Sequence, residues 1–329
     1  MANNRNHTID VMRAFLSWVV VVVHVLWMAG IQGETDQQMG ASAVAGFIIL
    51  SGFVITQLLV TKRETYGVFV FRRFMRLFPA FAICLAFALL IRPLTVGTIQ
   101  SATNPLIEAS ENQFFWWHLA THACLMHGLI PATWLPRGEF AFLIPGWSIS
   151  LEFQLYLVAP LLLWWLARSG AKGLLLVLMP SALLVLPPIA SKVAMIWSAS
   201  GAFLPQRFIF FLIGALIYFF STGGPYRPAM YRYWPGLVRL GEVSYSTYLV
   251  HYPVLALVNR FVPVHWSTIE KVAVLFTLGA PIILVSSFLL YRYVEQPGIK
   301  LGRYLSRDVK NLRLSSNSQA LPGESLIHS

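Results

Sequence analysis

The stretch from Ala14 to Gly30 reads AFLSWVVVVVHVLWMAG, and its one ionisable side chain is His24. A run of this length and apolarity is typical of a helix that crosses a bilayer, whose core requires about 20 apolar residues. A secretory signal peptide is the alternative, but the stretch has no clear small-x-small cleavage site and carries a histidine inside it. We therefore predict a retained first membrane span.

Comparable apolar stretches recur along the whole chain. We place seven further spans at about residues 41–61, 77–92, 147–167, 173–189, 203–221, 240–260 and 270–291, and a weaker segment at 114–130. The chain is 57% hydrophobic and 11% charged, whereas a soluble domain is about 25% charged. The sequence thus predicts an all-α fold, a polytopic transmembrane helical bundle of about 8–10 spans, over residues 1–305. The polar stretch 306–329 is predicted to be a disordered cytoplasmic tail.

The net charge of +11 comes from basic residues clustered between the apolar spans. Clusters in this position are a topology signal rather than a nucleic-acid surface, so no nucleic-acid partner is expected. The basic residues that indicate the orientation are Arg5, Arg13, Lys62, Arg63, Arg72, Arg73, Arg76, Arg168, Lys172, Arg227, Arg232, Arg239, Arg292, Lys300, Arg303 and Arg307. They predict that both termini are cytoplasmic and that residues 93–146 lie on the far side. Cys84 and Cys124 are the two cysteines, which predicts no disulfide framework.

Ionisable side chains within a span are costly and are therefore functional candidates. Arg13 and His24 are eleven residues apart, which places them within about 20° of one helix face and about 16 Å apart along the axis. Asp10 and Ser17 lie close to the same face. Arg13 could merely anchor the end of the span, and His24 could cap a neighbouring helix, but a polar seam from one side of the bilayer is the more specific interpretation.

Ser148, Glu152 and Tyr156 are spaced by four in the fourth clear span, so they share a helix face. Counted along the helix axes, His24 lies about 22 Å from the cytoplasmic side and Glu152 about 8 Å from the opposite side of a core about 30 Å thick. The matched depth predicts a His–Glu pair in which the carboxylate orients the imidazole as a general base for a hydroxyl group. A structural salt bridge within the membrane is the alternative.

Arg72, Arg73 and Arg76 form a basic cluster at the start of an aromatic-rich span. Ordinary positive-inside topology could explain each of these arginines. Guanidinium groups also make bidentate contacts with phosphate oxygens, so the cluster is a candidate site for a phosphate-bearing cytoplasmic donor.

His118, His122 and His127 lie in the weak apolar segment, the first two on one helix face. No carboxylate or cysteine completes a recognisable ligand set beside them, so no metal site is predicted. The sequence also contains no Walker loop, GxGxxG, GxSxG or HExxH motif, which leaves soluble-type nucleotide and hydrolase chemistry without support.

Six strings resemble, in order, those of the integral membrane acyltransferase family 3. They are Asp10-Val-Met-Arg13-Ala-Phe…His24, Leu50-Ser-Gly-Phe53, Arg72-Arg-Phe-Met-Arg76-Leu-Phe-Pro79, Trp147-Ser-Ile-Ser-Leu-Glu152-Phe-Gln-Leu-Tyr156, Gly241-Glu-Val-Ser-Tyr-Ser-Thr-Tyr-Leu-Val-His251-Tyr-Pro253 and Tyr291-Arg-Tyr-Val-Glu295-Gln-Pro297. The chain departs from the family at Ala45-Gly-Phe-Ile-Ile, where a Gly-Val-acidic-Phe-Phe run is usual. We expect the stand-alone form, without an appended hydrolase-like domain.

The resemblance implies an inner-membrane O-acyltransferase that moves an acyl group, often acetyl, from cytoplasmic acyl-coenzyme A to a saccharide hydroxyl. It points to Arg13, His24, the arginines at 72–76 and Glu152. The expected partners are acyl-CoA as co-substrate, a saccharide or lipid-linked saccharide acceptor and membrane lipids, with no permanently bound cofactor. General-base and acyl-histidine mechanisms both remain open. A transporter or flippase of a glycolipid or lipid-linked sugar is the rival class, since transporters also place ionisable groups near the midplane.

Overall fold

The computed structural model is helical, as the sequence predicts, and it describes residues 7–62, 64–95, 104–184, 186–197, 201–222 and 234–306. The helices in these residues are α1 (His7–Met28), α2 (Glu34–Thr61), α3 (Tyr66–Thr95), α4 (Asn104–Gln113), α5 (Phe115–Ala123), α6 (Gly146–Leu183), α7 (Pro187–Ile196), α8 (Leu204–Thr222), α9 (Pro235–Glu242), α10 (Ser244–Asn259), α11 (Thr268–Thr277) and α12 (Gly279–Leu290). A π-helical turn, Tyr291–Glu295, continues α12 into a last helical segment, 296–306. No strand occurs within the described ranges.

Six helical segments of the described chain are long and apolar enough to cross a membrane. They are His7–Met28, Glu34–Thr61, Tyr66–Thr95, Gly146–Gly170, Leu204–Ser221 and Thr268–Ser306, and a seventh results if Lys172–Leu183 and Pro187–Ile196 form one bent span. The protein is therefore a multi-pass membrane protein with a helical-bundle fold.

This count is lower than the predicted eight clear spans for two local reasons. The predicted span 173–189 is broken by an 80° bend, at the point where Pro187 and Pro188 interrupt the helical hydrogen bonds. The predicted span 240–260 is divided into α9 and α10, and α10 has 16 residues, which is short for a complete crossing. The weak segment 114–130 forms the nine-residue helix α5 followed by turns.

Helices α2 and α8 make the most extensive helix–helix contact described. A Cβ atom at Gly52 would lie 2.2 Å from the carbonyl oxygen of Phe211, and one at Gly214 would lie 2.0 Å from the carbonyl oxygen of Ile49. The two backbones can approach this closely only because glycine has no side chain, as is common between membrane helices. Gly52 belongs to the Leu50-Ser-Gly-Phe53 string, so this contact gives that string a packing role.

Helix α10 lies inside the bundle, where it contacts α1, α3 and α12. Its buried residues include Ser246, Thr247, Tyr248 and His251. Buried polar groups require hydrogen-bond partners, so this helix supplies polar contacts to the interior rather than an apolar face to lipid.

Some of the basic residues that predict the orientation lie outside the described residues, as does the predicted tail from residue 307 onward. These basic residues are Arg5, Arg63, Arg227, Arg232 and Arg307. Several of the described basic residues that predict the orientation lie together at one end of the bundle, where α1 begins and α2 ends.

Candidate active site

A polar cavity of about 650 Å³ opens at the end of the bundle where α1 begins. Its walls come from the first turns of α1 and α3, the end of α2, the α9–α10 junction and the segment after α12. Six basic and four acidic residues line it, namely Arg13, Lys62, Arg72, Arg73, Arg76 and Arg303 with Asp10, Glu64, Glu242 and Glu295. The excess of positive charge suits an anionic ligand.

The three arginines predicted to bind a phosphate-bearing donor, Arg72, Arg73 and Arg76, all line this cavity, and so does Arg13. Arg72 donates to Glu64 at 2.6 Å and to Ser306 at 2.7 Å. The Arg73 guanidinium lies 5.7 Å from the centroid of the Phe69 ring, and its Nε has no hydrogen-bond partner among the described residues. Arg73 thus differs from Arg72, because its Nε is buried without a partner whereas that of Arg72 is bonded to Ser306.

A smaller cavity of about 70 Å³ adjoins the large one deeper in the bundle. Both are lined by Arg13, Arg76, Ser244 and Tyr245, so the two cavities lie side by side in the protein. Glu152 also lines the smaller cavity. A polar route thus leads from the basic end toward the interior. Of the seam predicted on α1, Asp10 and Arg13 line this route, whereas Ser17 and His24 line neither cavity.

Glu152 is placed by the first turns of α6, which begins after Pro145. Ser148 lies one turn before it and lines the same small cavity, while Tyr156 lies one turn after it and donates a hydrogen bond to its carboxylate. Arg13 and Arg76 interact electrostatically with Glu152. The i, i+4 spacing thus places the three residues on one face, as predicted.

His24 is buried, with 9% of its surface exposed. Its Nδ1 lies 2.9 Å from the Val20 carbonyl oxygen and 3.3 Å from Nε2 of His251 on α10. The predicted contact between His24 and Glu152 is not formed, because the hydrogen bonds of these two side chains go to other groups. Matched depth fixes position along the membrane normal, but it leaves the lateral position of each residue undetermined.

Two side chains connect the small cavity with the histidine pair. Ser148 donates to the Tyr248 hydroxyl at 2.8 Å, and the Tyr248 ring centroid lies 5.7 Å from that of His251. Tyr248 also lines the small cavity. Tyr248 therefore lies between the small cavity, which Glu152 also lines, and the His251–His24 pair.

Two buried residues near the site were not singled out by the sequence analysis. His251 is fully buried, and Glu295 is 3% exposed, lines the large cavity and accepts a 2.8 Å hydrogen bond from Ser246. Both residues lie in strings that carry the family resemblance, and each is an ionisable group within a predicted span or a few residues after one. Applying the cost of intramembrane ionisable groups to those strings would have identified them.

The three histidines between α3 and α6 form a separate buried cluster. The rings of His122 and His127 stack with centroids 3.9 Å apart, and His127 Nε2 donates to the Gly146 carbonyl at 2.9 Å. Burial lowers the pKa of His118 and of His122, and it lowers the pKa of His127 to about 4. Burial therefore favours the uncharged form of these histidines, and His127 connects the cluster to Gly146, the first residue of α6. No group of three or more potential metal ligands is found in the described ranges.

Comparison with known proteins identifies related sequences. The sequence model of a family described as an acyltransferase domain matches residues 6–234. Curated relatives include the O-acetyltransferase OatA of Staphylococcus aureus strains NCTC 8325 / PS 47, COL and MRSA252, each 24% identical over an alignment of 377 residues. The alignment covers 89% of this chain and 57% of each relative, so the chain spans little more than half their length. No solved structure matches it.

Proposed function

Since this chain belongs to the acyltransferase family 3, we propose that it is an integral membrane O-acyltransferase that transfers an acyl group from cytoplasmic acyl-CoA to a saccharide hydroxyl. The family makes it an acyltransferase rather than a transporter or flippase. The name of its relatives supports an acetyl group as the acyl group and oxygen as the accepting atom. A cell-envelope or exported saccharide as acceptor and an inner-membrane location with cytoplasmic termini complete the proposal.

The observation that carries the proposal is the adjacency of a basic cavity and a smaller interior cavity, whose wall residue Tyr248 contacts the His251–His24 pair. Arg13, Arg72, Arg73 and Arg76 would bind the phosphate groups of coenzyme A, because guanidinium groups form charge-assisted hydrogen bonds with phosphate oxygens. The thioester end would then extend along the polar route past Arg13 and Arg76.

His24 would act as the general base at the inner end of this route. Its Nδ1 donates to the Val20 carbonyl, which leaves Nε2 with a free lone pair. Nε2 would remove the proton from the acceptor hydroxyl while the hydroxyl oxygen attacks the thioester carbonyl carbon. The carbon–sulfur bond then breaks, and the departing thiolate takes the proton from Nε2, so that an ester and free coenzyme A are formed.

Glu152 receives a revised role in this mechanism. Its carboxylate is near Arg13 and Arg76 rather than hydrogen-bonded to His24, so it would hold these guanidinium groups in place between the two cavities. Tyr156 would fix the carboxylate through its hydrogen bond, and Ser148 would contribute to the polar wall of the small cavity.

Membrane vesicles that contain the protein test this proposal when they are supplied with radiolabelled acetyl-CoA and envelope saccharide. We expect covalent label on the saccharide from the native protein and none from His24→Ala, since general-base catalysis contributes about 10²–10⁴-fold in rate. Equal protein levels in the membrane fraction are the control. Undiminished labelling by His24→Ala would refute the role of His24, and absence of label with the native protein would refute acetyl transfer to saccharide. Label that remains on the native protein in the absence of acceptor, and that is missing from His24→Ala, would identify the acyl-histidine mechanism.

A further inference from the structure

We propose that His251 is a positioning residue that fixes the tautomer and orientation of His24, an inference that rests on the proposed role of His24 as the base. The two imidazoles come from α1 and α10, with ring centroids 4.9 Å apart and planes inclined by 60°. His251 is fully buried, so it acts through His24 rather than by touching the substrate.

The hydrogen-bond partners determine one consistent proton arrangement. The Val20 carbonyl lies 2.9 Å from His24 Nδ1, and the Thr247 carbonyl lies 3.3 Å from His251 Nδ1. A carbonyl oxygen can only accept, so both Nδ1 atoms carry the hydrogen. His251 Nε2 is then unprotonated and lies 3.3 Å from His24 Nδ1, so it can accept the Nδ1–H hydrogen bond. His24 Nε2 is left unprotonated, as a base requires.

This arrangement stabilises His24 most strongly when the imidazole becomes positively charged. After Nε2 has taken a proton from the acceptor hydroxyl, the charge is shared with the Nδ1–H group, where Val20 O and His251 Nε2 both accept. The Trp27 and Tyr252 rings also lie against His24, at centroid distances of 5.3 Å and 5.4 Å. These rings confine the imidazole, whereas the lone pair of His251 offers a second acceptor that stabilises the imidazolium, as the aspartate does in a catalytic triad.

Replacing His251 by glutamine or by asparagine distinguishes a positioning role of this residue from a packing role, because the two amides reach different distances. In His251→Gln the amide can reach the place of imidazole Nε2, whereas in His251→Asn it reaches only the place of Nδ1. We expect kcat for acetyl transfer to fall about 30-fold in His251→Asn and less than about fivefold in His251→Gln, within the range attributed to general-base catalysis. The KM for acetyl-CoA should stay unchanged in both variants, because His251 does not line the basic cavity.

The control is Leu255→Ala, one turn further along α10 and equally buried. It should lower the thermal unfolding temperature without lowering kcat. Equal kcat values for the Asn and Gln variants, or a kcat loss in Leu255→Ala as large as that in His251→Asn, would overturn the inference. If His251→Asn fails to accumulate, a native kcat in His251→Leu would overturn it as well. His24→Ala is measured alongside, because transfer by that variant would refute the role of His24 on which this inference rests, whereas absence of transfer by the native protein would refute the proposed function.

Discussion

Arg72 is the arginine of the large cavity with the best-defined partners, Glu64 and Ser306. If the cavity binds coenzyme A, Arg72→Gln should raise the KM for acetyl-CoA about tenfold or more and leave kcat within about twofold, because a charged hydrogen bond contributes about 1.5–3 kcal/mol. Initial rates in vesicles over a range of acetyl-CoA concentrations measure both constants.

Arg292 offers a matched control for this measurement. It is an exposed arginine that does not line the large cavity, so Arg292→Gln should leave both constants unchanged. An equal rise of KM in the two variants would show that net charge at this end, rather than a bound phosphate, controls donor affinity.

The arginine cluster could be predicted from the sequence, whereas the partner of His24 could not. The arginine positions were predictable, because Arg72, Arg73 and Arg76 are close in sequence and their chemistry is common to all guanidinium groups. The partner of His24 was not predictable, because His251 is 227 residues away along the chain. Depth along two helix axes suggested Glu152 instead, and lateral position depends on packing that no residue count describes.

Among the helices, the close contact between α2 and α8 requires glycine at positions 52 and 214. Gly52→Ala should lower the free energy of unfolding by about 1–3 kcal/mol or more, because the added methyl group would collide with the Phe211 carbonyl and push the helices apart. Gly214→Ala should act similarly through Ile49. Thermal unfolding of the detergent-solubilised protein measures the loss.

Gly67→Ala on α3 is the control for helix propensity. No atom lies within 4 Å of a Cβ built at Gly67, so this substitution should leave stability unchanged or slightly raised, since alanine favours helix over glycine. Native stability in Gly52→Ala would contradict the close approach of α2 and α8.

The elements themselves were predictable where an apolar run is long enough to cross the bilayer alone. The runs at 41–61 and 203–221 became α2 and α8. The run at 240–260 did not become one span, because it contains the buried polar helix α10, whose side chains face other helices rather than lipid. Hydropathy records apolar content, but it does not distinguish a lipid-facing helix from one enclosed by the bundle.

In the molecule as a whole, the basic cavity and the buried His24 are connected by α1. The basic cavity lies at the end where α1 begins, and His24 lies further along the same helix, paired with His251 of α10. A donor that entered from the basic end could therefore meet an acceptor that approached from the other side. This arrangement explains how one bundle could connect a cytoplasmic donor with an acceptor across the bilayer, but it requires the predicted orientation.

The two cysteines allow that orientation to be tested. Cys84 is buried in α3, whereas Cys124 is exposed at the end of α5, in the segment predicted to face away from the cytoplasm. A membrane-impermeant maleimide should therefore modify the protein in right-side-out vesicles and not in inside-out vesicles. Cys124→Ser should abolish the labelling, because Cys84 remains shielded by packing.

Lys300→Cys in the Cys124→Ser background should reverse the pattern, since Lys300 is exposed beyond α12 and is predicted to be cytoplasmic. Labelling of Cys124 in inside-out vesicles alone would place residues 93–146 in the cytoplasm and the basic cavity on the side that acyl-CoA cannot reach.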